Sequence, residues 1–129
     1  MTFSNSAENP LIRVLIVEDN DRFRQAFKDN LQIVSPGLLI QEAIEGKECL
    51  EKVETFHPQL VFMDIRLPGE NGLSLTKKIK ALHPETQVVV LTSYDNPEYQ
   101  DAAIQSGASH FISKDALNME EVNTLIKSI

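Results

Sequence analysis

One cysteine, Cys49, is the whole thiol complement of the chain. No internal disulfide can form, and a reducing compartment suits such a sequence. Long apolar runs are missing as well: none approaches the roughly 20 residues that a helix needs to cross a bilayer. Basic residues are scarce, with 12 Lys and Arg against 19 Asp and Glu, a net charge of −7. Unaided binding to nucleic acid or to an anionic membrane surface needs clustered cations, so neither is expected. Met1 to Pro10 lacks the apolar stretch of a signal peptide. It is polar and rich in Ser and Asn, and residues 1–10 are expected to form a flexible N-terminal tail. The remainder shows no internal repeat, no low-complexity tract and no linker. The expected location is the cytoplasm.

What is present fits one globular domain over residues 11–129. The 129 residues are 42% hydrophobic and 24% charged, ordinary values for a chain with one buried core. The stretch that organises the rest is Leu60-Val61-Phe62-Met63-Asp64-Ile65-Arg66-Leu67-Pro68-Gly69. Four apolar residues run into one aspartate, and a Pro-Gly turn follows. A short apolar run bounded by turn signals predicts a strand buried on both faces, with Asp64 at its carboxyl end.

Around it, strands and helices alternate. Ile12 to Val17 is β-branched and apolar, and ends in Glu18-Asp19-Asn20-Asp21. Phe23, Ala26, Phe27, Leu31 and Val34 recur at helical spacing until Ser35-Pro36-Gly37 stops them. Leu38 to Ala43 predicts a second strand. Gly46 to Phe56 predicts a helix, broken by His57-Pro58. After the third strand, Asn71 to Leu82 predicts a helix with Leu75, Ile79 and Leu82 inward. Gln87 to Thr92 predicts the fourth strand. Asn96 is placed as the cap of a helix with Pro97 in its first turn, and Gly107 as its terminator. Tyr99, Ala102, Ala103 and Ile104 are its apolar residues. Ser109 to Ile112 predicts the fifth strand, and Met119 to Ile129 a last helix. Five strands alternating with five helices through short connections imply an α/β fold, a mostly parallel sheet covered on both faces.

The chemistry-bearing residues fall at strand ends. Glu18 and Asp19 follow the first strand, Asp64 ends the third, Thr92 ends the fourth and Lys114 follows the fifth. In a parallel sheet these ends share one edge, where open α/β folds place their ligands. Three carboxylates in one cleft raise one another's pKa. A hard divalent cation relieves that, and Mg2+ needs only one or two carboxylates when a phosphate supplies further oxygens. A lysine and a hydroxyl alongside suit phosphoryl transfer, and an aspartate can itself be the nucleophile. Taken singly, each residue has a plainer reading. Glu18-Asp19 reads as a helix cap, Asp64 as a turn residue, Thr92 as a cap, Lys114 as a surface lysine and Phe111 as core. The joint placement is what points to chemistry. His57, His83 and His110 are scattered, and none reads as a ligand. Lys77, Lys78 and Lys80 read as a solvated face.

The sequence resembles the receiver domain of two-component response regulators. The resemblance rests on Val17-Glu18-Asp19-Asn20, Met63-Asp64-Ile65-Arg66-Leu67-Pro68-Gly69-Glu70-Asn71-Gly72, Leu91-Thr92-Ser93, Gly107-Ala108 and Phe111-Ile112-Ser113-Lys114-Asp115. It is most similar to the NarL/LuxR class. The resemblance implies a flavodoxin-like (CheY-like), doubly wound five-stranded parallel sheet in the order 2-1-3-4-5. It further implies that Asp64 accepts a phosphoryl group from the phosphohistidine of a sensor histidine kinase. Asp19, Asp64 and the backbone carbonyl of Arg66 would ligate Mg2+, with Glu18 helping through water. Lys114 and Thr92 would hold phosphoryl oxygens, and Phe111 would change rotamer as Thr92 shifts. Arg66 and Tyr94, two residues after Asp64 and Thr92, would tune the phosphate's lifetime. The surface of the fourth helix, fifth strand and fifth helix would then be read by a partner or form a homodimer.

Three positions depart from the common pattern of that family. The acidic pair is Glu-Asp, the switch aromatic is Phe, and Asp115 stands where many receivers carry proline. Without proline a cis bond after Lys114 would cost roughly 2.5–4 kcal/mol. Members of the NarL/LuxR class usually carry a C-terminal helix-turn-helix domain that controls transcription. The alternative expectation is a stand-alone receiver acting through protein–protein contacts. A metal-dependent hydrolase is disfavoured, since Arg66 stands where its second aspartate would be. A flavin-binding module is disfavoured by acidic residues where a phosphate-cradling loop would lie. A silent receiver is disfavoured by Asp64 and Lys114.

Overall fold

The computed structural model describes residues 11–129. The tail expected over residues 1–10 lies outside the described residues. Ten main elements alternate: β1 (Arg13–Val17), α1 (Asp21–Val34), β2 (Leu39–Ala43), α2 (Gly46–Phe56), β3 (Leu60–Met63), α3 (Gly72–Leu82), β4 (Gln87–Thr92), α4 (Pro97–Gln105), β5 (His110–Ser113) and α5 (Met119–Lys127). A single 3₁₀ turn, Lys114–Ala116, separates β5 from α5. All strand pairs are parallel, and the sheet order is β2-β1-β3-β4-β5. The chain therefore reverses direction across the sheet at β1, and a crevice opens between β1 and β3, whose following helices α1 and α3 pack on opposite faces.

The register levels the strand ends. Val17 pairs with Met63, so Glu18 and Asp64 begin their loops side by side. The ladder runs one step further, with the Asp64 amide donating to the Val17 carbonyl at 3.1 Å and the Glu18 amide to that of Ala43 at 2.9 Å. Thr92 pairs with Ser113, which puts Lys114 one residue beyond the level of Thr92.

Every residue of β3 is buried, which explains its unbroken apolar run. Alternate residues feed opposite layers. Val14, Ile16, Leu60 and Phe62 join Phe27, Leu31, Val122 and Ile126 on the α1/α5 side. Leu15, Val17, Val61 and Met63 join Cys49, Val53, Leu75 and Ile79 on the α2/α3 side.

Some expectations are corrected. Ala26, Leu82 and Ile104 are exposed rather than inward, because each lies just past the edge of its helix's apolar stripe. The fifth strand is shifted by one residue, since Ser113 still pairs with Thr92. Asn96 stands at the cap of α4, but its side chain makes no capping bond. Its carbonyl instead accepts from the Tyr99 and Gln100 amides. Lys80 is no free surface charge: its ammonium donates to the Pro84 and Thr86 carbonyls at 2.7 Å each. The bond between Lys114 and Asp115 is trans.

Candidate functional site

The Asp64 carboxylate is buried at the carboxyl end of β3 and engaged on both oxygens. Thr92, wholly buried, donates its hydroxyl to Asp64 Oδ1 at 2.7 Å. Lys114 Nζ donates to Asp64 Oδ2 at 3.1 Å. The same ammonium lies 2.5 Å from Glu18 Oε1. Glu18 is also buried, and its Oε2 accepts from the Asn20 amide at 3.0 Å. Asp19 is exposed at the mouth, and one oxygen from each of Glu18, Asp19 and Asp64 lies within 4.8 Å of the others.

Local sequence explains each placement. Asn20 caps α1, its Oδ1 accepting the Phe23 amide at 2.9 Å, so the acidic pair is held just outside the first turn. After Asp64 the chain turns through Pro68-Gly69, and Gly69 adopts φ +82°. Asn71 caps α3 by accepting the Leu73 amide at 2.6 Å. The helix then starts directly against the site: a Cβ on Gly72 would stand 1.9 Å from the Asp64 carbonyl oxygen. Gly72 is thus a site residue, though in the sequence it is only the last member of the receiver-like stretch Met63 to Gly72 and is given no role of its own. Its signal was the Asn-Gly pair seven residues past the aspartate, but the backbone approach behind it has no trace in composition. Beyond β5, Ser113 caps the 3₁₀ turn that carries Lys114, accepting the Asp115 amide at 3.3 Å.

Burial pushes the Glu18 carboxyl up, and the nearby Asp64 charge adds to it, against the pull of Lys114 and the Asn20 amide. Burial alone would lower the Lys114 ammonium. Its hydrogen bond to Glu18 and the Asp64 charge outweigh that and hold it above the usual lysine value. One ammonium therefore compensates two of three clustered carboxylates, and a deficit of positive charge remains. The donor set is all hard oxygen, partly open to water through Asp19, and fits a hard divalent cation that keeps several waters.

The other expected residues frame this centre. Arg66 is exposed, and its guanidinium lies 4.5 Å above the Tyr94 ring, bridging the loops after β3 and β4. The Tyr94 amide donates to the Thr92 hydroxyl at 3.3 Å. Tyr94 meets Tyr99 edge-on at 6.0 Å. Phe111 is half-buried and packs on the cluster of Ile65, Val90, Ala103 and Ala108, not on the carboxylates. Ser113 Oγ donates to Asp95 Oδ2 at 3.0 Å, a tie between the loop after β4 and the end of β5. The three histidines stand apart from the centre; His83 Nε2 meets Glu54 at 2.7 Å.

A doubly wound sheet in this order with an aspartate, a lysine, a hydroxyl and an acidic pair at its carboxyl edge defines a class of phosphoryl-handling domain. The chain belongs to the response regulator receiver domain family, whose model matches residues 14–127. Relatives include the response regulator GacA of Pseudomonas viridiflava, 31% identical over 89% of this chain and 54% of that protein. The transcriptional regulatory protein LnrK of Bacillus subtilis strain 168 is 31% identical over 92% of this chain and 52% of its own. The chain thus spans about half the length of the curated relatives it matches. Among solved structures, a CheY-like receiver domain protein from Methanospirillum hungatei JF-1 superposes with a TM-score of 0.83, at 29% identity and 92% coverage of both chains. Among the described residues, no helix is long and apolar enough to cross a membrane.

Proposed function

We propose that the chain is a phosphorylation-controlled switch in which Asp64 is the phosphoacceptor. A carboxylate oxygen of Asp64 attacks the phosphorus of a phosphohistidine on a sensor histidine kinase. The phosphorus–nitrogen bond breaks, the histidine departs, and an acyl phosphate forms on Asp64. Water later attacks the phosphorus, releasing inorganic phosphate and restoring the carboxylate. The chain acts on its own aspartate in both steps and turns over no metabolite.

The observation that carries this reading is that Thr92 and Lys114 both hold the Asp64 carboxylate, at 2.7 and 3.1 Å. Two donors on the one carboxylate support the reading, because phosphoryl transfer needs its oxygens positioned and their charge stabilised. Glu18, Asp19, Asp64 and the Arg66 carbonyl would hold Mg2+, which when bound supplies charge neutralisation at the phosphoryl oxygens. Thr92 then moves to the phosphoryl group, and Phe111 follows into the space it leaves. Arg66 and Tyr94 flank the approach to Asp64, and set how readily water reaches the phosphoryl group. The changed face of α4, β5 and α5 is the output surface. It docks a partner or a second copy, read by sedimentation with and without beryllofluoride. Output through transcription, by a DNA-binding domain outside this chain, is supported by the name of the LnrK relative. The cytoplasm is the proposed location, supported by the unpaired, buried Cys49.

Incubation with a small acyl phosphate, with and without magnesium, tests the reading. Magnesium-dependent modification that is lost in Asp64→Asn is expected. Steady turnover of a general phosphate ester would instead favour a hydrolase and sink the switch.

A further inference from the structure

The geometry points to Phe23 as the residue that seats the Lys114 ammonium. Lys114 Nζ lies 4.3 Å from the centroid of the Phe23 ring, well within the range of a cation–π contact. Among the described residues, the other two groups that hold the ammonium are Glu18 and Asp64. Both of those carboxylates belong to the phosphoryl-transfer chemistry proposed above, on which this inference rests. Their charge is engaged or masked as that chemistry proceeds. The ring neither titrates nor reacts. Of the three contacts it is the one that persists unchanged while the other two are redistributed.

The fold builds this contact deliberately from α1. Asn20 caps the helix by accepting the Phe23 amide, which puts Phe23 in the first turn. Helical side chains lean toward the helix N-terminus, here toward the end of β1 where Glu18 lies. The ring is then locked from behind. It stacks on Phe27 at 5.8 Å and 12°, and Phe27 meets Phe62 edge-on at 4.9 Å and 83°. Phe62 stands two residues before Asp64 in β3. An aromatic column thus runs from the strand that carries the phosphoacceptor, through the α1 side of the core, to the face of the lysine. The Lys114 side chain is only 14% exposed, so little water competes with the ring for the ammonium. Phe23 is a positioning residue: it acts on Lys114, not on the phosphoryl group.

The experiment pairs NMR of the lysine side chains with titration by beryllofluoride in magnesium, on the wild-type chain, Phe23→Leu and Phe23→Tyr. In the wild type, the Lys114 ε-methylene protons are expected upfield of other lysines, with contacts to the Phe23 ring protons. Phe23→Leu keeps the apolar core but removes the ring face. It is expected to abolish the upfield shift and to raise the half-saturating beryllofluoride concentration by about five- to thirty-fold, the range for a partly desolvated cation–π contact. Phe23→Tyr keeps the ring and is expected to restore both readouts. A wild-type ε-methylene without the upfield shift overturns the inference, and that readout needs no variant to fold. Unchanged beryllofluoride binding in Phe23→Leu overturns it as well. If the wild type took up no beryllofluoride at all, the reading of Asp64 would fail, while the ring shift would still decide whether Phe23 seats the ammonium.

Discussion

Lys114 joins the two halves of the site, since one ammonium touches both Glu18 and Asp64. On the proposed function it is Asp64 that reacts, while Lys114 holds a phosphoryl oxygen and links the site to the output face. Lys114→Ala is therefore expected to accept the phosphoryl group and yet fail to change the output face. The check is labelling and activation-dependent association measured on the same sample; normal association on activation would contradict the role. Cys49 makes the opposite case, a reactive residue type made inert by its surroundings. Burial, with the Glu70 and Glu48 charges adding to it, pushes its thiol up to about 12. Alkylation of the native chain at neutral pH is expected to be negligible and to become complete in denaturant, followed by mass. At this scale the sequence was readable at the strand ends. Asp64, Thr92 and Lys114 stood out through their joint placement at three strand ends, not singly. Phe23 did not, because an aromatic at helical spacing looks the same whether it faces core or cation.

Helix α3 shows how an element is cut to fit the site. Its first residue is glycine because the helix begins against the Asp64 backbone, where a Cβ would lie 1.9 Å from the carbonyl oxygen. Gly72→Ala must push α3 or the loop after β3 away. The expected cost is about 1–3 kcal/mol, the range for forced overpacking, with weakened phosphoryl acceptance alongside. Urea unfolding checks the first, and a wild-type midpoint would show that the loop yields freely. Helix α1 is fixed to the edge strand β2 by charge. Glu42 accepts from Arg24 at 2.8 Å and from Lys28 at 3.0 Å. Burial alone would raise the Glu42 carboxyl, but Lys28 and Arg24 outweigh it and hold it below the usual glutamate value. A depressed value means that the tie stabilises fully above the unfolded-state pKa and is lost as pH falls through the folded-state one. The difference in urea midpoint between the wild type and Glu42→Gln is expected to shrink in that acid window. A difference independent of pH would show that the pair contributes through packing alone. Element types and order were legible because strands and helices differ in apolar period. The inward face of each helix was less so: Leu82 and Ile104 fit the apolar pattern yet are 67% and 55% exposed, since composition cannot tell the edge of a stripe from its centre.

Across the whole molecule, a parallel sheet gathers at one rim what the chain spreads over nearly a hundred residues. The level ends of β1 and β3 bring Glu18 beside Asp64, and the β4–β5 register brings Thr92 and Lys114 in from the other side. The strand-end positions could be foreseen from sequence. The distances could not, because they depend on register and on how far each side chain reaches. Nor could the Arg66–Tyr94 bridge, which joins two loops that share no pattern. The central claim is that this rim makes Asp64, and no other carboxylate, the acceptor. The most direct test maps the modified peptide after incubation with an acyl phosphate and magnesium. One phosphoryl group on Asp64, absent after chelation and absent in Asp64→Asn, is the predicted result. A label on Glu18 or Asp19, or an undiminished label in Asp64→Asn, would contradict it.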